Sequence, residues 1–338
     1  MFCTNCGRKL DPEDVFCPGC GMKVREGFPE FQAEGISRKR RSSRAWAWAI
    51  LALVVICGLA LGGYFLWGKG SEGSSLYPVV VNGEWGYIDK TGKIVINPQF
   101  DGAGIFSEGL AWVKVGDKYG YIDKTGKIVI NPQFDYAYNF SEGLAPVGVG
   151  DKWGYIDKTG KIVINPQFDY AYNFSEGLAP VGVGDKWGYI DKTGKIVINP
   201  QFDWAGIFSE GLALVKVGGK YGYIDKAGKF VINPQFDDAW PFSEGLARVQ
   251  VGGKYGYIDK AGKFVINPQF DGAYDFSEAL APVEVGDKWG YIDRFGKIVI
   301  NPQFDYAHNF SEGLADVKVG EKLGYIDQTG RYIWEPTN

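Results

Sequence analysis

Four cysteines open the chain: Cys3, Cys6, Cys17 and Cys20, spaced C-x2-C-x10-C-x2-C with a glycine after each pair. Each C-x-x-C turn presents two thiolates at one corner, and two such turns supply the tetrahedral sulfur set that suits zinc; the glycines relieve backbone crowding there. Two separate redox pairs are the alternative, and the ribbon-like spacing favours zinc over them. All four ligand positions are filled by protein, so the expected site is structural and leaves no open position for catalysis.

The other residues with chemical potential are spread out. Asp89, Asp101 and Glu108 recur with their equivalents in each complete copy of a long repeat, and His308 is the single histidine. An active site is not usually built seven times over, so the recurring acids are expected to cap turns and bond backbone amides. His308 occupies a position that is Tyr, Gly or Trp in other copies and has no obvious partner for general-base work, so it is expected to be an exposed or stacking side chain. No nucleophile elbow, phosphate loop or calcium loop is present.

The repeat that carries these acids is the dominant feature. An aromatic-Gly-Tyr-Ile-Asp run starts at Trp85, Tyr119, Trp153, Trp187, Tyr221, Tyr255 and Trp289, and its last copy starts at Leu323; the step is always 34 residues. Before residue 77 the chain has ten Lys/Arg and seven Asp/Glu, a charge of +3; after it, 26 and 33, a charge of -7. An acidic array is a poor candidate for neutralising phosphates, so no nucleic acid is expected as a partner. All five cysteines precede the repeats, which must therefore be stabilised by packing and not by disulfides.

Between the cysteines and the repeats, residues 45–67 run 23 positions without a charge. As a helix they span roughly 34 Å, enough for a hydrocarbon core of ~30 Å, with Trp46, Trp48, Tyr64 and Trp67 as interfacial anchors. Arg38, Lys39, Arg40, Arg41 and Arg44 crowd the N-terminal flank, which places the N-terminus in the cytoplasm and the repeats outside the cell membrane. The expected organisation is a zinc ribbon at 1–25, a basic juxtamembrane linker at 26–44, a single transmembrane helix at 45–67, a flexible linker at 68–76 and the repeat domain at 77–338.

Within one repeat, LAWVKV alternates as a half-buried strand and turns through Gly116-Asp117 into YGYID. Asp123 to Lys127 make a second turn into KIVI, and Asn131-Pro132 is expected to end that strand because proline cannot donate to the ladder. Each unit thus reads as a three-stranded antiparallel meander followed by a connector of about a dozen residues. Such a unit cannot bury both faces alone, but stacked copies can, with Phe100, Phe106 and Leu110 and their equivalents as the knobs between neighbours.

These residues resemble two known families. The first 25 or so are similar to the short zinc ribbon found at the start of many bacterial membrane proteins. Residues 77–338 resemble the bacterial WG-repeat family, on Trp85-Gly86, Trp153-Gly154, Trp187-Gly188 and Trp289-Gly290, the G-Y-I-D-x-x-G-K run and the F-S-E-G-L-A run. That resemblance implies a repeat architecture often joined to zinc ribbons or membrane segments, and no particular activity. Tyr119, Tyr221, Tyr255 and Leu323 in place of Trp indicate a position that needs a large packing group. The fold class is therefore an all-β tandem array of eight units, with an open superhelix favoured over a closed propeller because blades ordinarily have four strands. Leu323, Gln328 and Trp334 alter the last unit as a cap would.

What varies between copies is the connector, whose rings are Tyr136, Tyr138, Tyr170, Tyr172, Trp204, Trp240, Tyr274 and Tyr306. Such rings fill gaps between units, stack on sugars or anchor a protein. The expected function is a non-enzymatic, membrane-anchored binding protein. Its outer array would engage an envelope glycan or protein, and its zinc ribbon would meet a cytoplasmic partner. A purely structural spacer is the alternative, and an exported cell-wall hydrolase is a weaker one.

Overall fold

The computed structural model describes residues 75–336. The four zinc-ligand cysteines, the basic linker, the apolar span at 45–67 and most of the 68–76 linker lie outside the described residues. Among the described residues the named strands pair antiparallel, and no helix is long and apolar enough to cross a membrane. The chain divides into two units at Phe106/Ser107.

In the first unit, Tyr77–Val81, Glu84–Ile88 and Ile94–Phe100 form a three-stranded sheet. Asn82 and Gly83 both take positive φ, 54° and 89°, the left-handed pair that a type I′ hairpin demands. Tyr87 is buried, its ring 4.8 Å from that of Phe106, and its hydroxyl donates to the Gly104 carbonyl at 2.7 Å. A phenol taken out of water thereby keeps a partner.

The second unit repeats that sheet with one addition. Leu144–Val149, Lys152–Asp157 and Ile162–Phe168 form the expected meander, but Tyr136–Ala137 pairs with Gly148 and Val147 as a fourth strand. From Tyr136 onward, six successive sheets have four strands, so the three-stranded unit expected from the sequence is corrected. The connector also contains a hairpin. Ser141 and Leu144 exchange both backbone hydrogen bonds, while Glu142 and Gly143 take φ of 53° and 87°. Glu-Gly here is a second type I′ turn, in which a non-glycine residue accepts the left-handed region.

The third strand does not end at its proline. It runs from Ile162 through Asn165-Pro166 to Phe168, because Trp153 pairs with Phe168 and Tyr155 with Ile164, leaving Asn165, Pro166 and Gln167 bulged opposite Gly154. Proline is tolerated there because the bulge needs no ladder bond from it. A Cβ on Gly154 would lie 2.4 Å from the Ile164 carbonyl oxygen and 2.6 Å from the Pro166 nitrogen. The glycine after each repeat aromatic is therefore demanded by backbone contact across the bulge.

Cores form between consecutive sheets. Leu144, Tyr155, Ile164 and Phe168 of one sheet pack with Ala171, Phe174, Ala179, Val181 and Ile190 of the next. The same seam carries polar ties. Tyr155 donates its hydroxyl to the Tyr172 carbonyl at 2.7 Å, Ser141 donates to the Phe174 carbonyl at 2.8 Å, and the Gly177 amide donates to Glu142 at 3.0 Å. Packing between neighbours is as the sequence implied, and the altered last copy leaves more apolar surface in solvent. Tyr325 is 41 % exposed and Trp334 61 %, whereas Tyr291, the counterpart of Tyr325, is fully buried.

Candidate ligand-binding surface

The recurring acids are occupied in building the array. Asp157 accepts from the Thr159 hydroxyl and amide and from the Lys161 amide, and these bonds, the Thr159 hydroxyl foremost, hold its carboxyl below the usual range against the upward push of burial. Asp169 accepts from Lys152 at 2.5 Å and from the Gly184 amide at 2.7 Å, with the same downward effect. On Glu108, burial pushes upward, but Lys158 at 3.0 Å and the Gly143 amide outweigh it and the carboxyl sits low. Carboxylates held ionised by two or three donors are turn and seam ties, as expected, and are poorly suited to accept a proton near neutrality.

The connector rings are gathered on the repeat aromatics. Tyr136 and Tyr138 both stack on Trp153, with centroids 5.8 and 5.2 Å away, and Tyr170 and Tyr172 stack on Trp187 at 5.7 and 5.1 Å. Tyr136 (57 % exposed), Tyr138 (45 %) and Tyr170 (58 %) nevertheless keep much of their surface in solvent. Tyr172, Trp204, Trp240, Tyr274 and Tyr306 are half-buried. Trp240 lies 5.8 Å from Tyr255, and Tyr274 lies 5.3 Å from Trp289. These rings fill space and present a face at once.

Two groups of unlike residues break the uniformity. Arg248 is buried, its guanidinium 3.7 Å from the Trp240 ring centre, and it donates to the Ala273 carbonyl. Its Nε lies 3.2 Å from Asp275 Oδ1, close enough for charge pairing but out of line for a hydrogen bond. Burial pushes the Asp275 carboxyl up, and Arg248 opposes that push. Further along, His308 Nδ1 is 2.6 Å from Asp316 Oδ2, so the histidine has the partner that the sequence did not reveal. The Tyr274 and Tyr306 hydroxyls bond each other beside it. Burial and the Tyr306 hydroxyl push Tyr274 up to about 12, which keeps this phenol protonated and a weak nucleophile at neutral pH. Among the described residues no group of three or more His, Cys, Asp or Glu is placed to hold a metal.

A groove of about 610 Å³ opens along these rows, lined by Asp203, Trp204, Leu214, Lys216, Tyr221, Asp238, Ala239, Trp240 and Pro241. Trp204 and Trp240 were expected as ligand-facing rings. Tyr221, Lys216 and Asp238 were not, although the lack of a ring at 206 and 238 marks the spot in the sequence.

The model of the WG containing repeat matches residues 85–119, 119–153, 153–187, 187–221, 221–255, 255–289 and 289–322, well over half of the chain. The chain belongs to the WG-repeat family. A zinc-ribbon domain precedes the WG repeats, matched over residues 2–24. No curated protein matches the chain. Among solved structures it is similar to the dihydro-heme d1 dehydrogenase NirN, at 14 % identity over 79 % of this chain and 74 % of that one, with a TM-score of 0.47. Hsv2p of Kluyveromyces lactis is 9 % identical over 66 % and 91 %, with a TM-score of 0.40. A protein of unknown function from Bacteroides caccae is 16 % identical over 57 % and 90 %, with a TM-score of 0.29.

Proposed function

We propose that this WG-repeat protein is a non-enzymatic binding protein of the bacterial cell membrane. Residues 45–67 form its single transmembrane anchor, the repeats face outward toward an envelope glycan or protein, and the zinc ribbon meets a cytoplasmic partner. The observation that carries the reading is the row of connector rings, most of them lying on a repeat aromatic and still open to solvent, mounted on a frame that otherwise hardly changes. Rigid aromatic surface on a repeated scaffold suits recognition, because little conformational entropy is lost on contact. Copy number then adds avidity without new chemistry. The seam bonds run from one repeat to the next, so each unit is tied to its neighbour. The four cysteines at 3, 6, 17 and 20 have the donor chemistry of a closed zinc site that folds the ribbon.

The test is co-sedimentation of the full detergent-solubilised chain with isolated cell-wall material, beside a folded variant carrying Trp204→Ala and Trp240→Ala. Binding that the variant loses supports the reading, and binding by neither favours a spacer. Orientation is checked by adding protease to intact spheroplasts, which should remove the repeats and spare the ribbon.

A further inference from the structure

Tyr221 occupies the position of Trp153 and Trp187 in its own repeat, yet it lacks their cover. Over Trp187 stand the rings of Tyr170 and Tyr172. The residues equivalent to those two at Tyr221 are Trp204 and Gly206, and the indole of Trp204 leans over the glycine, its Cη2 3.0 Å from where a Cβ would be. Tyr119 receives a stacked ring from the connector that follows it, Tyr136 at 6.4 Å, but at Tyr221 that place is held by Asp238. The ring of Tyr221 instead meets the ammonium of Lys216, 4.8 Å from its centre. The groove is the space those missing rings leave.

We propose that this groove binds one uncharged hexopyranose unit of a glycan chain. The inference rests on the binding reading above and names its ligand. A pyranose has apolar C–H faces and a polar edge of hydroxyls, and the groove offers Trp204, Tyr221 and Trp240 for the faces. For the edge it offers Lys216, with three donors, and Asp238. One oxygen of Asp238 takes the Ala239 amide at 2.9 Å, and the carboxylate has acceptor capacity beyond that single bond. Asp203 is engaged elsewhere, by Lys186 at 2.6 Å and by the Gly218 amide at 2.7 Å.

The competing ligand classes fit less well. A cation would find the Tyr221 face taken by Lys216 and would meet the guanidinium already 3.7 Å from Trp240. An anion would meet the Asp238 carboxylate beside Lys216, while Asp203 is already paired with Lys186. A purely apolar side chain would strip water from Lys216 and Asp238 and give no bond in return. A neutral ring bearing hydroxyls satisfies all of these groups together. Its size suits the groove, which lies within the roughly 300–1,000 Å³ of ligand clefts.

The experiment uses the full chain in an amine-oxide detergent, whose headgroup carries no sugar, and calorimetric titration with three probes: the tetramers of β-1,4-linked glucose, β-1,4-linked N-acetylglucosamine and α-1,4-linked glucose. Saturable binding of at least one is expected. Asp238→Tyr installs the residue found at 136, 170 and 306, so the fold should be kept while the groove is closed, and affinity should fall at least about tenfold. Val163→Thr, on an exposed strand position away from the groove, should leave it unchanged. Failure of all three probes overturns the proposal, as does undiminished binding by Asp238→Tyr or binding of a proline-rich peptide in place of the sugars. If the chain sediments with cell wall but takes no probe, the binding reading stands and this site falls.

Discussion

The slots over Trp187 and Tyr221 lie one repeat apart on equivalent strands, and they end in opposite states. Each aromatic is followed by a glycine whose added Cβ would lie 2.4 Å (Gly188) or 2.6 Å (Gly222) from a carbonyl oxygen of the bulged third strand. Both repeats bury a tyrosine whose hydroxyl reaches the following connector, Tyr189 to the Gly206 carbonyl and Tyr223 to the Trp240 carbonyl, each at 2.7 Å. Yet tyrosines close one slot, and the other holds a groove. The difference is written in a few residues, Gly206, Lys216 and Asp238, none of which is in the hydrophobic core clusters. In such an array the residues that pack the frame are separate from those that shape the groove, so one set can vary while the other stays fixed.

That separation makes graded predictions. The largest effect belongs to the glycines: Gly188→Ala and Gly222→Ala should each cost about 3 kcal/mol, and by similar amounts, since the added methyl meets backbone in both. Urea unfolding measures this, and a large gap between the two would show that the frames differ. Tyr189→Phe and Tyr223→Phe should each cost about 1–2 kcal/mol by leaving a carbonyl without its donor. Here the slots should separate: Tyr172→Ala removes a stacking partner of Trp187 and should cost about 1 kcal/mol, whereas Asp238→Ala should change stability by less than about 0.5 kcal/mol.

The smallest difference between the slots concerns pH. Asp169 and Asp203 are both held below the usual range, chiefly by the lysine each one bonds. Their contribution is complete above the ordinary aspartate value of 3.8 and is lost as pH falls through the lower folded values. Thermal melting from pH 6 to 2 should therefore show an acid loss that Asp169→Asn and Asp203→Asn each reduce by a similar fraction.

Much of this was legible in the sequence. The 34-residue period, the hairpin turns at Asn82-Gly83 and Gly116-Asp117 and the turn role of Asp89 follow from spacing and local chemistry. Three features were not. A strand of two residues, Tyr136–Ala137, has no periodicity to read; it exists because the Gly148 and Val147 backbone would otherwise lack partners on that side. Pro166 reads as a strand end, and only the close approach at Gly154 shows why the strand continues past it. His308 and Asp316 meet across the hairpin between them, where the His308 amide donates to the Asp316 carbonyl, a pairing that depends on the unpredicted turn. The groove itself was present in the sequence only as missing rings, which carry meaning once the stacks in other repeats are known.

The bonds from turn glutamates to the backbone amide of the next turn have a mechanical consequence. Glu142 holds Gly177, Glu176 holds Gly211 and Glu210 holds Gly245, each partner 35 residues further on. Under tension applied at the two ends, these ties and the seams beneath them yield one after another. Each rupture frees the 34 residues of one repeat, roughly 115 Å of slack chain. Pulled at both ends, the array would lengthen in steps and absorb the pull gradually.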